Sequence, residues 1–247
     1  MYTLSSDLNK SLKQNLILSH HILYNEGQSS DVAGHISSKL SNSEVFYTNG
    51  FPLGFDEAEI AQIKEVNFNN YNFKNMEDIS PAIDLHCEIY KKYPNINAIV
   101  HTHPYYATSL GVIEKNLEMV DQQASPFFNK IKLFNENFGV FDNGQGGVKE
   151  IIEIIKNNKA LILQNHGILV FGESIQEATI GAIILEKAAK IQIISMSSGN
   201  IKTIPKDSAV QANNFLSQKN IIDYKFDYFA RRAIRKNAKI LDMIKIS

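Results

Sequence analysis

The alternation of apolar and polar positions divides the chain into segments of two periods. Residues 7–25 carry a helical pattern, with Asp7 placed to cap its start and Gly27 just past its end. "GHISSKL" and "EVFYT" then read as short strands on either side of the turn-prone "SNS". "DEAE", 56–59, offers a capping pair for a short helix, and "EVNF" a further strand. "SPAIDLHCEIYKKY", 80–93, predicts a helix with Ser80 at its cap, Pro81 at its first position and an end before Pro94. "NAIVHTH" predicts a buried strand, because Ile99 and Val100 form a continuous apolar run.

"GVKEIIEIIKNN" reads as a helix, and "KALIL" and "GILVFG" as strands flanking a turn. "SIQEATIGAIILEKAAKIQIISM" reads as a long helix opened by a Ser174/Glu177 capping box. A polar loop near 198–210 and a basic helix around 225–245 complete the chain. Strands and helices alternate without a strict βαβ repeat, and no stretch rich in Pro, Gly or Ser divides them. The expectation is one α/β or α+β domain over residues 1–247.

Composition narrows the classes. The chain has 247 residues, 44% of them apolar, and a net charge of −1 without a basic stripe, so nucleic acid is not an expected partner. A single cysteine, Cys87, excludes an intrachain disulfide. No apolar run reaches the roughly 18–20 residues that span a bilayer, because Glu186, Lys187 and Lys190 interrupt the longest candidate. The N-terminus is too polar for a signal peptide. A cytoplasmic protein with no membrane partner is expected.

The chemistry concentrates in the histidines, of which there are seven. Residues two apart on a strand share a face, so His101 and His103 project together from the end of "NAIVHTH", where Pro104 breaks the ladder. His166 lies in "QNHG" directly after "KALIL", and Gly167 permits a tight turn there. Three imidazoles from two strand ends suit a tetrahedral metal with a fourth position open to water or substrate, the pattern of a catalytic site. Hydrogen-bonded structural histidines are the alternative.

"PNINAIVHTHP" and "KALILQNHGILVFGESIQEA", together with "GHISSK" and the H-x-x-I-Y pattern at His86–Tyr90, resemble the class II aldolase/adducin family over roughly residues 8–240. The resemblance implies a three-layer α/β/α sandwich around a mainly antiparallel central sheet. It implies a homotetramer with a small-molecule substrate. It also implies a divalent metal on His101, His103 and His166: zinc, with manganese, cobalt or iron as alternatives.

Two departures matter. Sugar-phosphate aldolases of the family carry a catalytic glutamate four residues before the helix histidine; here that position is Ala82, which cannot move a proton. Asp84 and Glu88 are the nearest candidate replacements, with a solvated helix face as the alternative, and Glu77 and Asp78 precede them. The phosphate-holding "G-N-x-S" becomes "GHIS". This puts His35 where asparagine would stand, either as a proton shuttle or carboxylate binder or as a structural turn residue. Ser37, Ser80, Thr48, Asn49 and Gly50 are the matching substrate-binding candidates, and Gln122 and Gln123 are pocket candidates. Of Tyr105 and Tyr106, one is expected to face the site and the other to pack. Both departures resemble the adducin-like branch.

The leading expectation is a lyase on a small hydroxy- or oxo-acid or a sugar-derived substrate. Aldol cleavage or decarboxylation would pass through a metal-stabilised enediolate. An epimerase or dehydratase on the same site and a non-enzymatic scaffold are the alternatives.

Overall fold

The computed structural model describes residues 2–71, 78–135 and 148–245. The helices are α1 (Leu8–Asn25), α2 (Ile83–Lys92), α3 (Tyr105–Val112), α4 (Val148–Ile155), α5 (Ile175–Ser198), α6 (Lys206–Leu216), α7 (Lys219–Lys236) and α8 (Ile240–Met243). The strands are β1 (His35–Lys39), β2 (Val45–Thr48), β3 (Lys64–Asn67), β4 (Ala98–Thr102), β5 (Ile131–Phe134), β6 (Ala160–Leu163) and β7 (Gly167–Gly172). They form one sheet in the order β3-β2-β1-β4-β7-β6-β5. Only β5–β6 is parallel; the other neighbours run antiparallel.

The layering follows from β4, whose five residues are all buried. Ala98 and Val100 join a core with Leu16 and Ile17 of α1, Ile36 of β1 and Ile180 and Ile183 of α5. Ile99 points the other way, into a core with Ile83 and Ile89 of α2 and Ile151 and Ile155 of α4. Both faces of the sheet are therefore covered, each buried Leu, Ile or Phe contributing about 1.5–3 kcal/mol. The expected three-layer α/β/α architecture around a mainly antiparallel sheet is present. Among the described residues no helix is long and apolar enough to cross a membrane.

Several boundaries differ from expectation. Asp7 does cap α1, accepting from the Lys10 amide at 2.9 Å, and Ser174 caps α5 by accepting from the Glu177 amide. Glu177, however, reaches back to the Glu173 amide at 2.8 Å. Ser80 does not cap α2: that helix begins at Ile83 with Ala82 at its cap and no side-chain bond. The segment before it is a turn, in which the Ser80 carbonyl accepts from the Ile83 amide at 3.0 Å. Pro81 disfavours helical backbone at the residue before it.

"DEAE" forms no helix. Glu57 folds back onto the Gly54 amide at 2.8 Å, and only a 3-10 turn, Ile60–Gln62, follows. Pattern reading missed β5, α3 and the 3-10 segment Gln122–Phe127. The polar loop and basic helix of the tail resolve instead into α6, α7 and α8. Their buried faces are mostly small: Ala209, Ala212 and Leu216 on α6, and Phe226, Ala230 and Ala233 on α7. The Gly-rich "DNGQGG", 142–147, lies outside the described residues.

Candidate metal centre

His101 occupies the β4 position opposite His35 of β1 on one side and Leu169 of β7 on the other. It shares the parity of Ile99 and so faces the α2 side of the sheet. Its Nδ1 lies 2.9 Å from the Ile168 carbonyl oxygen. A carbonyl only accepts, so Nδ1 carries the proton and Nε2 presents a lone pair. Burial first, then the neighbouring His35, His103 and His166, hold the His101 pKa well below the usual imidazole range, so the ring is neutral.

His103 follows the strand directly. Its amide donates to Ser30 Oγ at 2.8 Å, and its Nε2 lies 2.8 Å from His101 Nε2. His166 sits in the β6–β7 turn, where the preceding Asn165 takes the left-handed conformation at φ 56°. Burial, then His103, lowers the His166 pKa to about 4.

One ligand atom from each of His101, His103 and His166 lies within 4.8 Å of the others. The residues fit a divalent cation. Three neutral imidazoles converge, and the outer nitrogen of His101 is tied to a backbone carbonyl, as ligating histidines usually are. Such a donor set does not discriminate among zinc, iron, cobalt and neighbouring metals.

A second histidine pair adjoins the first. The His35 ring stacks on His101 with centroids 4.5 Å apart. His35 Nδ1 lies 2.8 Å from His86 Nε2, His86 Nδ1 lies 2.6 Å from Ser37 Oγ, and Ser37 Oγ lies 2.7 Å from the Tyr90 hydroxyl. All four residues are buried. Burial lowers the His86 pKa to about 3 and pushes the Tyr90 hydroxyl far up, so both are neutral.

Three supports of the triad have no local sequence signal. Gly167 is needed for space, not for turning. A β-carbon there would overlap the Thr102 carbonyl oxygen and stand 2.6 Å from His103 Cδ2, while the left-handed turn residue is Asn165. Glu186 of α5 accepts from the amides of Tyr106 and Ala107 at 3.1 and 2.8 Å, capping α3 just beyond His103. Gln28 accepts from Thr102 Oγ1 at 2.9 Å and donates to the Ala182 carbonyl at 2.8 Å, tying β4 to α5.

Other expected residues are placed elsewhere or already engaged. Asp84 and Glu88 line a separate cavity of about 260 Å³ with Tyr71, Cys87, Lys91 and Val148. They cannot serve the triad, because residues two apart on a helix face opposite sides and His86 takes the inward one. Glu88 also pairs with Lys91 at 2.6 Å. Ser37 is enclosed by His86 and Tyr90, so its hydroxyl does not face substrate.

Thr48 donates its hydroxyl proton to the Ile36 carbonyl at 2.8 Å. The Asn49 amide lies between His20 Nε2 at 3.0 Å and the Gly50 carbonyl at 3.2 Å. Gly50 packs against Lys64, which pairs with Asp78; Glu77 lies outside the described residues. Gln122 and Gln123 are exposed on the 3-10 segment, Gln123 accepting from Lys225 at 3.1 Å. Tyr106 packs on the core and Tyr105 is 82% exposed. On the basic tail helix, Arg232 pairs with Glu26 at 2.9 Å.

Residues 14–193 match the Class II Aldolase and Adducin N-terminal domain family. The chain belongs to that family. It is 32% identical over 179 residues to an L-fuculose phosphate aldolase of Methanococcus vannielii, covering 72% of this chain and 93% of the relative. It is 27% identical over 128 residues to the decarboxylase NovR of Streptomyces niveus, covering 52% of this chain and 47% of that one. Among solved structures, the L-fuculose 1-phosphate aldolase of Glaciozyma antarctica PI12 superposes with a TM-score of 0.83 at 22% identity. That match covers 98% of this chain and 96% of that one, a likeness of fold.

Proposed function

We propose that this chain is a divalent-metal-dependent lyase that breaks a carbon–carbon bond in a small hydroxy- or oxo-acid or a sugar-derived substrate. The observation that carries the reading is the convergence of His101, His103 and His166, neutral imidazoles whose ligand atoms lie within 4.8 Å. They would hold the cation; the family resemblance, not the donor set, makes zinc the first choice, with manganese, cobalt or iron as alternatives. When bound, the cation supplies a Lewis acid that polarises the substrate's oxygens. His35, stacked on His101, brings a ring nitrogen beside the triad. The likeness to both fuculose phosphate aldolases and a decarboxylase supports aldol cleavage or decarboxylation as the reaction.

Decarboxylation is the better fit to this chain's residues. Ala82 is a methyl group at the position that in the aldolases holds the acid–base glutamate, and Asp84 and Glu88 face away. Loss of carbon dioxide needs no base to deprotonate a hydroxyl. On these grounds we assign the chain to the adducin-like branch; the family resemblance supports a single domain that assembles into a homotetramer.

The test loads the full chain with zinc or manganese and offers a panel of oxo-acids, hydroxy-acids and sugar phosphates, with products read by mass spectrometry. We expect loss of carbon dioxide from an oxo-acid, abolished in His101→Ala and lowered about 10²–10³-fold in His35→Asn. Turnover unchanged in His101→Ala would overturn the reading.

A further inference from the structure

We infer that Tyr90, Ser37 and His86 form a one-way hydrogen-bond relay that fixes His35 with its proton on Nε2. His35 is thereby a hydrogen-bond donor beside the triad, suited to a substrate oxygen bearing negative charge and not to taking a proton from a substrate hydroxyl. The substrate part rests on the proposed lyase reading; the relay does not.

The direction follows from counting protons. The chain runs Tyr90 hydroxyl, Ser37 Oγ, His86 Nδ1 and Nε2, and His35 Nδ1, with links of 2.7, 2.6 and 2.8 Å. Each link needs one proton. The neutral phenol, the hydroxyl and each neutral imidazole carry one apiece. Three patterns satisfy all three links; in the third, Ser37 accepts from both Tyr90 and His86 Nδ1, His35 donates from Nδ1, and the Ser37 proton must find another acceptor.

In the first, Tyr90 donates to Ser37, Ser37 to His86 Nδ1, and His86 Nε2–H to His35 Nδ1. The one proton of His35 is then on Nε2. In the second, every bond reverses: His35 donates from Nδ1, and the Tyr90 proton at the far end must find another acceptor. Among the described residues the Tyr90 hydroxyl has no partner but Ser37. The nearby cation, Lys39, lies 5.7 Å from the Tyr90 ring centroid and has no lone pair to offer. Tyr90 is 2% exposed, so water does not replace the missing acceptor. The second pattern buries an unsatisfied Tyr90 hydroxyl and the third an unsatisfied Ser37 hydroxyl; the first satisfies both and leaves its spare proton on His35 Nε2, which among the described residues has no partner in any of the three.

The consequence is chemical. His35 has its only lone pair, on Nδ1, already occupied by His86, so no basic nitrogen of His35 is free to accept a proton at the triad. Its Nε2–H is a fixed donor in a buried setting, where such donors stabilise developing negative charge best. In decarboxylation the bond to the carboxylate carbon breaks, carbon dioxide departs, and the electron pair passes toward the adjacent carbonyl oxygen. His35 Nε2–H donates to that oxygen, and the proton that finally reaches carbon comes from water. Ser37, His86 and Tyr90 touch no reacting atom; they are positioning residues.

The test is a long-range proton–nitrogen correlation spectrum of the full chain with nitrogen-15 in its histidine rings, recorded metal-free and zinc-loaded. His35→Asn assigns the His35 signals by their loss. The expected result in both samples is a protonated Nε2 and a bare Nδ1 on His35, and the same on His86. In Ser37→Ala, which removes the middle member, the His35 nitrogens move toward a common average. Turnover in that variant falls about 10–100-fold through kcat, at unchanged KM and zinc content. A His35 ring protonated at Nδ1 in the unsubstituted protein would overturn the relay whatever the substrate proves to be. Unaltered turnover in Ser37→Ala, with its tautomer averaged, would overturn the positioning role.

Discussion

Gly167 of β7 packs so closely on Thr102 of β4 that any β-carbon would overlap the Thr102 carbonyl oxygen. The neighbouring atom is backbone in a central strand and cannot swing aside. Gly167→Ala must therefore part the two strands where His103 and His166 leave them. We expect a loss of about 1–3 kcal/mol in stability together with weaker zinc binding, read by thermal denaturation and by competition with a metal-sensitive dye. An unchanged melting temperature and zinc affinity would contradict this view of the strand contact.

Glu186 caps a helix that cannot cap itself. The N-cap of α3 is Pro104, which makes no side-chain bond, and the amides of Tyr106 and Ala107 turn instead to the Glu186 carboxylate. Burial raises the Glu186 pKa, and the two amide bonds pull it partly back. Glu186→Ala strands both amides and should cost about 1–3 kcal/mol. Glu186→Gln, which keeps one accepting oxygen, should cost less. Chemical denaturation of the two variants checks the order, and equal losses would argue against a capping role.

His20 sets a limit on acid stability. It is fully buried, with Nδ1 2.7 Å from the Leu16 carbonyl oxygen, and burial lowers its pKa from 6.5 to about 4. The unfolded chain thus binds a proton below pH 6.5 that the folded chain refuses until near pH 4. Stability is fully present above pH 6.5 and falls as pH drops through this window. The share due to His20 is about 3 kcal/mol at pH 4. His86, lowered to about 3, acts in the same direction. Urea denaturation from pH 7 to 4 should show the decline, with a shallower slope in His20→Gln; parallel slopes would remove His20 from the explanation.

The triad was legible because its signals are local. Strand periodicity alone puts His101 and His103 on one side, and "QNHG" follows an apolar strand. The sandwich was legible from the same apolar runs and from the family resemblance. What supports the triad was not legible, because it spans the chain: Ser30 meets the His103 amide, and Glu186 meets α3, only after the sheet and α5 have assembled. Gly167 drew attention for the wrong reason, since its constraint is a cross-strand overlap invisible in sequence. Asp84 and Glu88 misled because spacing reveals that they share a face but not which face. Only His86, 0% exposed on the inward side of α2, decides it. The tail misled because α6 and α7 bury chiefly alanines, which leave a weak apolar stripe.

The most direct measurement is metal stoichiometry on the full chain by elemental analysis, paired with the thermal shift produced by added zinc or manganese. About one divalent ion per chain is expected, with a melting temperature that rises on loading and with both effects lost in His101→Ala and in His166→Ala. A chain that takes up no ion and gains no stability from either metal, or that keeps its ion when His101 and His166 are replaced, would contradict the metal centre.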